Sequence, residues 1–227
     1  MGLSARTMLR LHVEAVWGVK LPPLEENDLT LLPESSLPDW RLYMAELSTE
    51  RLLIWRPGLS SSERADLLAR LAEVQRSPAD IPPPQGISRE VALRLDAAPV
   101  IDLASARQRA CLLGPGDYAL LEAFWPGEAA KMLRPEPQPL LGVIVDRRLL
   151  TLAHSSRRTV EACELGIDTL PEARRRGYAL AATVAWSASI QAEGLVPIYS
   201  AFAANTASLR LAYAAGYRQF ARAIMLK

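Results

Sequence analysis

The 227-residue sequence predicts an α/β (α+β) fold: a mixed sheet with helices on its faces, preceded by an α+β segment of its own. Two observations carry this. In the second half, apolar runs follow the order strand, helix, strand, helix, strand behind an earlier hairpin, which calls for a mixed sheet covered by helices. Between the halves, Ser77–Gly86 (SPADIPPPQG) holds four prolines in ten residues, a run that neither continues a helix nor joins a central strand. That seam predicts an N-terminal α+β segment over 1–85 and a second domain over 86–227.

The first segment opens with a helix over Ala5–Val19, followed by strand-like pieces at Leu29–Leu32, Trp40–Leu47 and Arg51–Trp55. Ser60 and Glu63 have capping-box spacing, and Leu67, Leu68, Leu71 and Val74 then fall on one helical face. Trp17, Trp40 and Trp55 fit a core, with a lined pocket as the alternative. In the second domain Asp117–Trp125 reads as a short helix, Arg134–Pro139 as a loop, Leu140–Val145 and Leu149–His154 as strands, and Arg157–Arg158 as the polar turn after them. A longer strand spans Val160–Thr169. A helix follows to about Glu193, then a strand over Val196–Ala203, a helix over Thr206–Ala215 and a last strand from Tyr217.

Composition narrows the function. Half the residues are hydrophobic and 22% are charged, enough for a sizeable core, and 26 basic against 25 acidic side chains leave a net charge of +1. No global charge draws the chain to nucleic acid or an anionic membrane. Arg147, Arg148, Arg157, Arg158 and Arg174–Arg176 lack the interleaved aromatics of a nucleic-acid surface. Cys111 and Cys163 form no CxxC pair, so both are expected as reduced thiols, with Cys163 in the core. His12 and His154 lie far apart in sequence and complete no triad or metal-ligand spacing. The N-terminus lacks the long apolar region and small-residue site of a signal peptide, and the charge-free stretch Gly177–Ala192 is too short and polar to span a bilayer. The expectation is a cytoplasmic protein, with homodimerisation left open.

Chemistry concentrates in Glu164–Ala179, ELGIDTLPEARRRGYA. An apolar strand runs into Pro171, three arginines and Gly177, and an Ala-rich helix begins. Unsatisfied N–H groups and the dipole at a helix N-terminus favour bound phosphate, Gly177 admits close backbone approach, and the arginines add positive charge. Arg174-x-x-Gly177-x-Ala179 resembles the Q/R-x-x-G-x-G/A loop of the GNAT superfamily of N-acyltransferases. Downstream, Asn205-x-x-Ser208 and Gly216-Tyr217 are similar to that family's N-x-x-(S/A) and G-(F/Y) at matching spacing. TLPEARRRGYA also looks like a bacterial branch with the signature T-L-P-x-x-R-x-x-G-x-A. Residues 1–98 carry no such loop.

The resemblance implies a mostly antiparallel sheet with helices on both faces, acetyl-CoA as co-substrate, and a small-molecule amine as acceptor. It places the pyrophosphate at Arg174, Arg175, Arg176, Gly177, Tyr178 and Ala179, and the thioester beside the backbone of Thr169 and Leu170. Asn205 would hydrogen-bond the pantetheine arm. Ser208 would either touch cofactor or belong to the helix cap. Glu164 is the expected base, with an arginine-paired strand residue as its alternative and Glu161 as a weaker substitute. The usual acid position, four residues before Gly216, is Ala212. Tyr213 is turned about 100° from it, toward the sheet. That departure keeps a second reading open, a non-catalytic acyl-CoA-binding or regulatory module.

Overall fold

The computed structural model describes residues 3–33, 37–76 and 84–227. Most of the proline-rich seam, residues 77–83, lies outside the described residues. The helices are α1 (Ala5–Trp17), α2 (Ser61–Arg76), α3 (Leu103–Arg109), α4 (Tyr118–Phe124), α5 (Ala129–Met132), α6 (Tyr178–Ala192) and α7 (Thr206–Ala214). The strands are β1 (Asp28–Thr30), β2 (Leu42–Glu46), β3 (Arg51–Trp55), β4 (Ile87–Leu95), β5 (Cys111–Leu113), β6 (Leu140–Val145), β7 (Arg148–Arg158), β8 (Ala162–Thr169), β9 (Val196–Phe202) and β10 (Tyr217–Leu226). They form two compact units. The first gathers Met1–Arg94, Ser200–Leu209 and Gln219–Lys227, and the second Leu95–Tyr199 and Arg210–Arg218.

In the first unit the strand order is β1-β3-β2-β10-β4. β2 pairs antiparallel with β3 and β10, and β1 joins β3 in parallel. Alternation along β2 divides its side chains between two cores. Tyr43 and Ala45 pack with Leu9 and Val13 of α1 and with Trp40, while Leu42 and Met44 pack with Leu67 and Leu71 of α2. Trp40 and Trp55 are buried, as the core reading expects. α1 is fixed at both ends. The Ser4 hydroxyl accepts the Thr7 N–H, and Gly18, left-handed at φ 64°, donates its N–H to the Glu14 carbonyl. The expected capping box of α2 is present: Ser60 N–H donates to the Glu63 carboxylate at 2.8 Å and Glu63 N–H to the Ser60 hydroxyl at 3.3 Å. Leu68 does not share the buried face. It is 41% exposed, because one residue of helix separates it by ~100° from Leu67.

In the second unit the order is β9-β8-β7-β6-β5, antiparallel except for β8 with β9. Leu140 of β6 and Leu149 and Leu152 of β7 face α4 and α5 and pack with Leu121, Phe124 and Met132. Alternation sends Leu141, Val143, Thr151 and Ala153 to the opposite face, all buried, and α6 packs against these strands with Trp186 fully enclosed. Arg157 and Arg158 correct the sequence expectation. They end β7 instead of forming a turn, because Arg157 pairs with Glu164 and Arg158 with Glu193. The turn falls at Thr159–Glu161, where Thr159 N–H donates to the Ala162 carbonyl. No described helix is long and apolar enough to cross a membrane.

Candidate active site

β8 holds the site through its two edges. One edge pairs with β7 from Thr151↔Thr169 to Arg158↔Cys163. The other pairs in parallel with β9 over three residue pairs and stops at Glu164↔Ile198. Beyond Glu164 this edge of β8 has no residue pair with β9, an opening along β8. Which backbone groups face that opening follows from antiparallel alternation. Leu170 N–H donates to the Leu150 carbonyl at 3.0 Å. Thr151↔Thr169 is therefore a non-hydrogen-bonded pair, consistent with its two hydroxyls lying 3.1 Å apart. The N–H groups of Thr169 and, two residues back, Ile167 then point away from β7. Of the two expected thioester neighbours, Thr169 offers a free-edge amide, whereas the amide of Leu170 serves β7. Ile167 was missed because an apolar strand residue advertises nothing about its backbone.

Glu164 stands where the β8–β9 pairing ends. It is 7% exposed, accepts the Ser156 hydroxyl at 2.8 Å on Oε2, and has Arg157 Nη1 3.5 Å from the same oxygen. Both features of its sequence reading are thus present together: a carboxylate at the opening, and an arginine partner. Glu161 sits exposed in the turn before β8.

The loop after β8 turns through Pro171–Ala173. Arg148 pairs with Glu172 at 2.8 Å, tying the loop to β7, and the Glu172 backbone and this guanidinium hold the Glu172 carboxyl below its ordinary range. Arg174, Arg175 and Arg176 are exposed. Gly177 is the N-cap of α6 at φ 78°, with no side chain capping the helix. That left-handed φ is what requires glycine, since a built Cβ would meet only Arg109 Nη1, at 3.5 Å. Tyr178 and Ala179 form the first turn, whose N–H groups lack intrahelical acceptors. Arg109, at the end of α3, is a fourth guanidinium at this loop. Sequence separation of 65 residues or more from the arginine run concealed it, as did the shortness of α3.

Asn205 and Ser208 belong to the first unit. Asn205 Oδ1 accepts the Ser208 N–H at 3.1 Å, an N-cap for α7, which leaves its amide nitrogen as a donor. Ala212 is buried, and Tyr213 is 40% exposed. The expectation that Tyr213 turns toward the sheet is therefore overturned: Ala212 holds the inward position on α7. Gly216 and Tyr217 have structural duties. A Cβ on Gly216, φ 94°, would lie 2.3 Å from the Ala97 carbonyl oxygen, and the Tyr217 hydroxyl is 2.7 Å from Ser187 Oγ in the core.

The two histidines differ. His12 is buried in the first unit, its Nε2 3.4 Å from Glu90, which also accepts the Tyr43 hydroxyl at 3.0 Å. His154 lies on β7 opposite Gly166 of β8, and a Cβ on Gly166 would come within 2.3 Å of its Nε2. Its ring meets Trp125 edge-on at 5.5 Å, and both line a cavity of about 460 Å³ with Pro126, Met132 and Pro137. No group of three or more metal-ligating side chains occurs among the described residues.

A family model for GNAT acetyltransferases matches residues 141–222. No curated protein matches the chain. Among solved structures, a GCN5-related N-acetyltransferase from Sphaerobacter thermophilus is similar over 92% of this chain and 75% of its own, with 14% identity and a TM-score of 0.50. One from Kribbella flavida covers 100% and 95%, with 16% identity and a TM-score of 0.47. A GCN5-related N-acetyltransferase-like protein from Streptococcus suis covers 92% and 83%, with 14% identity and a TM-score of 0.49. At 14% identity the likeness to the Sphaerobacter thermophilus protein is one of fold. The matched segment runs from β6 into β10 and contains the unpaired edge of β8, the arginine loop and α6, and over that segment the chain is similar to GNAT acetyltransferases.

Proposed function

We propose that the protein moves an acetyl group from acetyl-CoA to the primary amine of a small molecule. The observation that carries this is the continuity of β8, the loop and α6: free-edge amides at Ile167 and Thr169 lead directly to the arginines and the uncapped helix start at Gly177. An extended arm ending in phosphates fits such a track. Its amide groups pair with a strand edge, and its pyrophosphate meets helix N–H groups and the guanidinium groups of Arg109 and Arg174–Arg176. The edge amides of Ile167 and Thr169 suit the oxygen of a thioester carbonyl, where negative charge develops during attack.

An alkylammonium group has a pKa of about 10.4 and no lone pair, so the acceptor must shed a proton before it can attack. Glu164 supplies negative charge at the opening for that ammonium. With Ala212 inward and Tyr213 exposed, α7 brings no hydroxyl from the usual acid position, and the thiolate of CoA is a tolerable leaving group. A cytoplasmic location belongs to the same proposal, since both cysteines are free thiols suited to a reducing compartment. The test is thiol release from acetyl-CoA over a panel of amines, for wild type and Glu164→Gln. Turnover that weakens in the variant supports the reading. Saturable CoA binding with no turnover on any amine would favour an acyl-CoA-binding module.

A further inference from the structure

The cavity beside His154 is walled by Trp125, Pro126, Met132 and Pro137, with His154, Ser155 and Ser156 on its β7 side. About 460 Å³ lies within the range of small-molecule sites, ~300–1,000 Å³. Its only lining charges are Glu128 and Lys131, paired with each other at 3.0 Å. A polycation would find one carboxylate here, already neutralised. A single ammonium on an apolar body would find an indole ring, a thioether and two proline rings to cover that body.

His154 joins this cavity to β8. Its Nε2–Cε1 edge overhangs Gly166, where any side chain would collide with it. Gly166 follows Glu164 on the same face of β8, beyond the last residue paired to β9. The imidazole therefore lies across the strand that bounds the opening. Nδ1 is buried without a hydrogen-bond partner. The charged groups on the surrounding elements are Asp168 and Glu164 on β8, Arg148, Arg157 and Arg158 on β7, Glu128 and Lys131 at α5, and Glu122 on α4, which accepts the Gly127 N–H; β6 brings none. Burial outweighs Asp168 and the Ser155 backbone and holds the imidazole below its ordinary pKa of 6.5, so it is neutral at pH 7. Glu164 Oε2 is already engaged by the Ser156 hydroxyl at 2.8 Å and by Arg157 Nη1 at 3.5 Å.

Resting on the acetyltransferase reading, we propose that this cavity takes a primary monoamine with an apolar body and that His154 takes up the proton its ammonium group sheds. The ammonium N–H bond breaks and the proton moves to Nε2. His154 passes that proton to solvent, the amine lone pair forms the new C–N bond to the thioester carbonyl carbon, the second N–H proton leaves the nitrogen through Nε2, the C–S bond breaks, and this second proton ends on the CoA thiolate as His154 returns to neutral. The amide and free CoA are the products. Glu164 steadies the ammonium and acts on binding.

The test combines kinetics, calorimetry and NMR on the full chain. In wild type, kcat/KM for 2-phenylethylamine should exceed that for spermidine by at least about tenfold, and should fall as the pH is lowered through a single group titrating below 6.5. His154→Gln should lose about 100-fold or more in kcat/KM, in keeping with general-base contributions of ~10²–10⁴, and lose that pH step. Glu164→Gln should keep the step and raise KM for the amine. With two histidines in the chain, the His154→Gln spectrum assigns the ring signals, and the His154 signal should shift when 2-phenylethylamine is added without CoA. Calorimetry with CoA should give the same affinity for wild type and His154→Gln, which also shows the variant folded. Intact CoA binding with an unchanged pH step in His154→Gln, or a preference for spermidine, overturns the proposal. Absence of CoA binding by wild type instead fails the reading on which it rests.

Discussion

Gly166→Ala couples β8 to β7 through one imidazole, and its effect can be worked from the structure. The new Cβ would sit 2.3 Å from His154 Nε2, 2.4 Å from Cε1 and 3.0 Å from Cδ2. Ordinary contacts lie near ~3.5–4.0 Å, so the ring must retreat by more than about 1 Å. It is backed by Trp125 at 5.5 Å. Overpacking of this kind costs about 1–3 kcal/mol, against which alanine recovers about 0.5–1 kcal/mol over glycine in a strand interior. Gly166→Ala should thus destabilise by up to about 2.5 kcal/mol, the overpacking term less this gain. In a His154→Ala background the collision is gone and only the gain remains, so the same substitution should become neutral or stabilising. Urea unfolding of the four proteins, followed by tryptophan fluorescence, measures the cycle. Equal costs in both backgrounds, within ~0.3–0.5 kcal/mol, would refute the packing of His154 over Gly166.

Other substitutions read different parts of the second unit. Gly216→Ala should be worse than Gly166→Ala, by about 3 kcal/mol or more in total, because φ is 94° and the obstacle is the Ala97 backbone oxygen, which cannot swing aside. A thermal melt should show it as a fall of about 6–12 °C; a smaller shift than Gly166→Ala would contradict the close approach. Arg109→Ala should weaken CoA binding by about five- to tenfold, of the order of one charge-assisted contact, and reduce its salt dependence, while unchanged affinity in calorimetry would remove Arg109 from the phosphate site. At pH 7.5 a thiol reagent should modify exposed Cys111 readily. Cys163, whose thiol burial pushes to about 11, should react only on unfolding, and two equally fast thiols in the native protein would contradict its burial.

The strand–loop–helix from Glu164 to Ala192 was legible because each part advertises itself: apolar alternation, a proline, an arginine run, then glycine before an alanine-rich helix. β4 was not legible. Its interior carries Glu90, a polar residue in a strand that is explained only by His12 and Tyr43, distant in sequence. β5 has three residues and α3 seven, too short for periodicity to speak. Arg157 and Arg158 looked like a turn because local composition cannot show that Glu164 and Glu193 neutralise them along a strand. At the site, residue types pointed to the loop, but edge amides and Arg109 depend on register and packing. His154 gave no sequence signal; its meaning comes from Gly166 across the ladder, two ordinary residues made a pair by strand register.

The most direct measurement is calorimetric titration of CoA into wild type, Gly177→Asn and Gly177→Asp. Asparagine and aspartate are nearly isosteric, and both tolerate a left-handed φ better than most residues, so the pair isolates charge at the start of α6. If the loop holds the pyrophosphate, wild type binds saturably, Gly177→Asn binds more weakly, and Gly177→Asp loses binding through repulsion of phosphate. Equal affinities for the folded Asn and Asp variants and wild type would place the cofactor somewhere other than the Arg174–Ala179 loop.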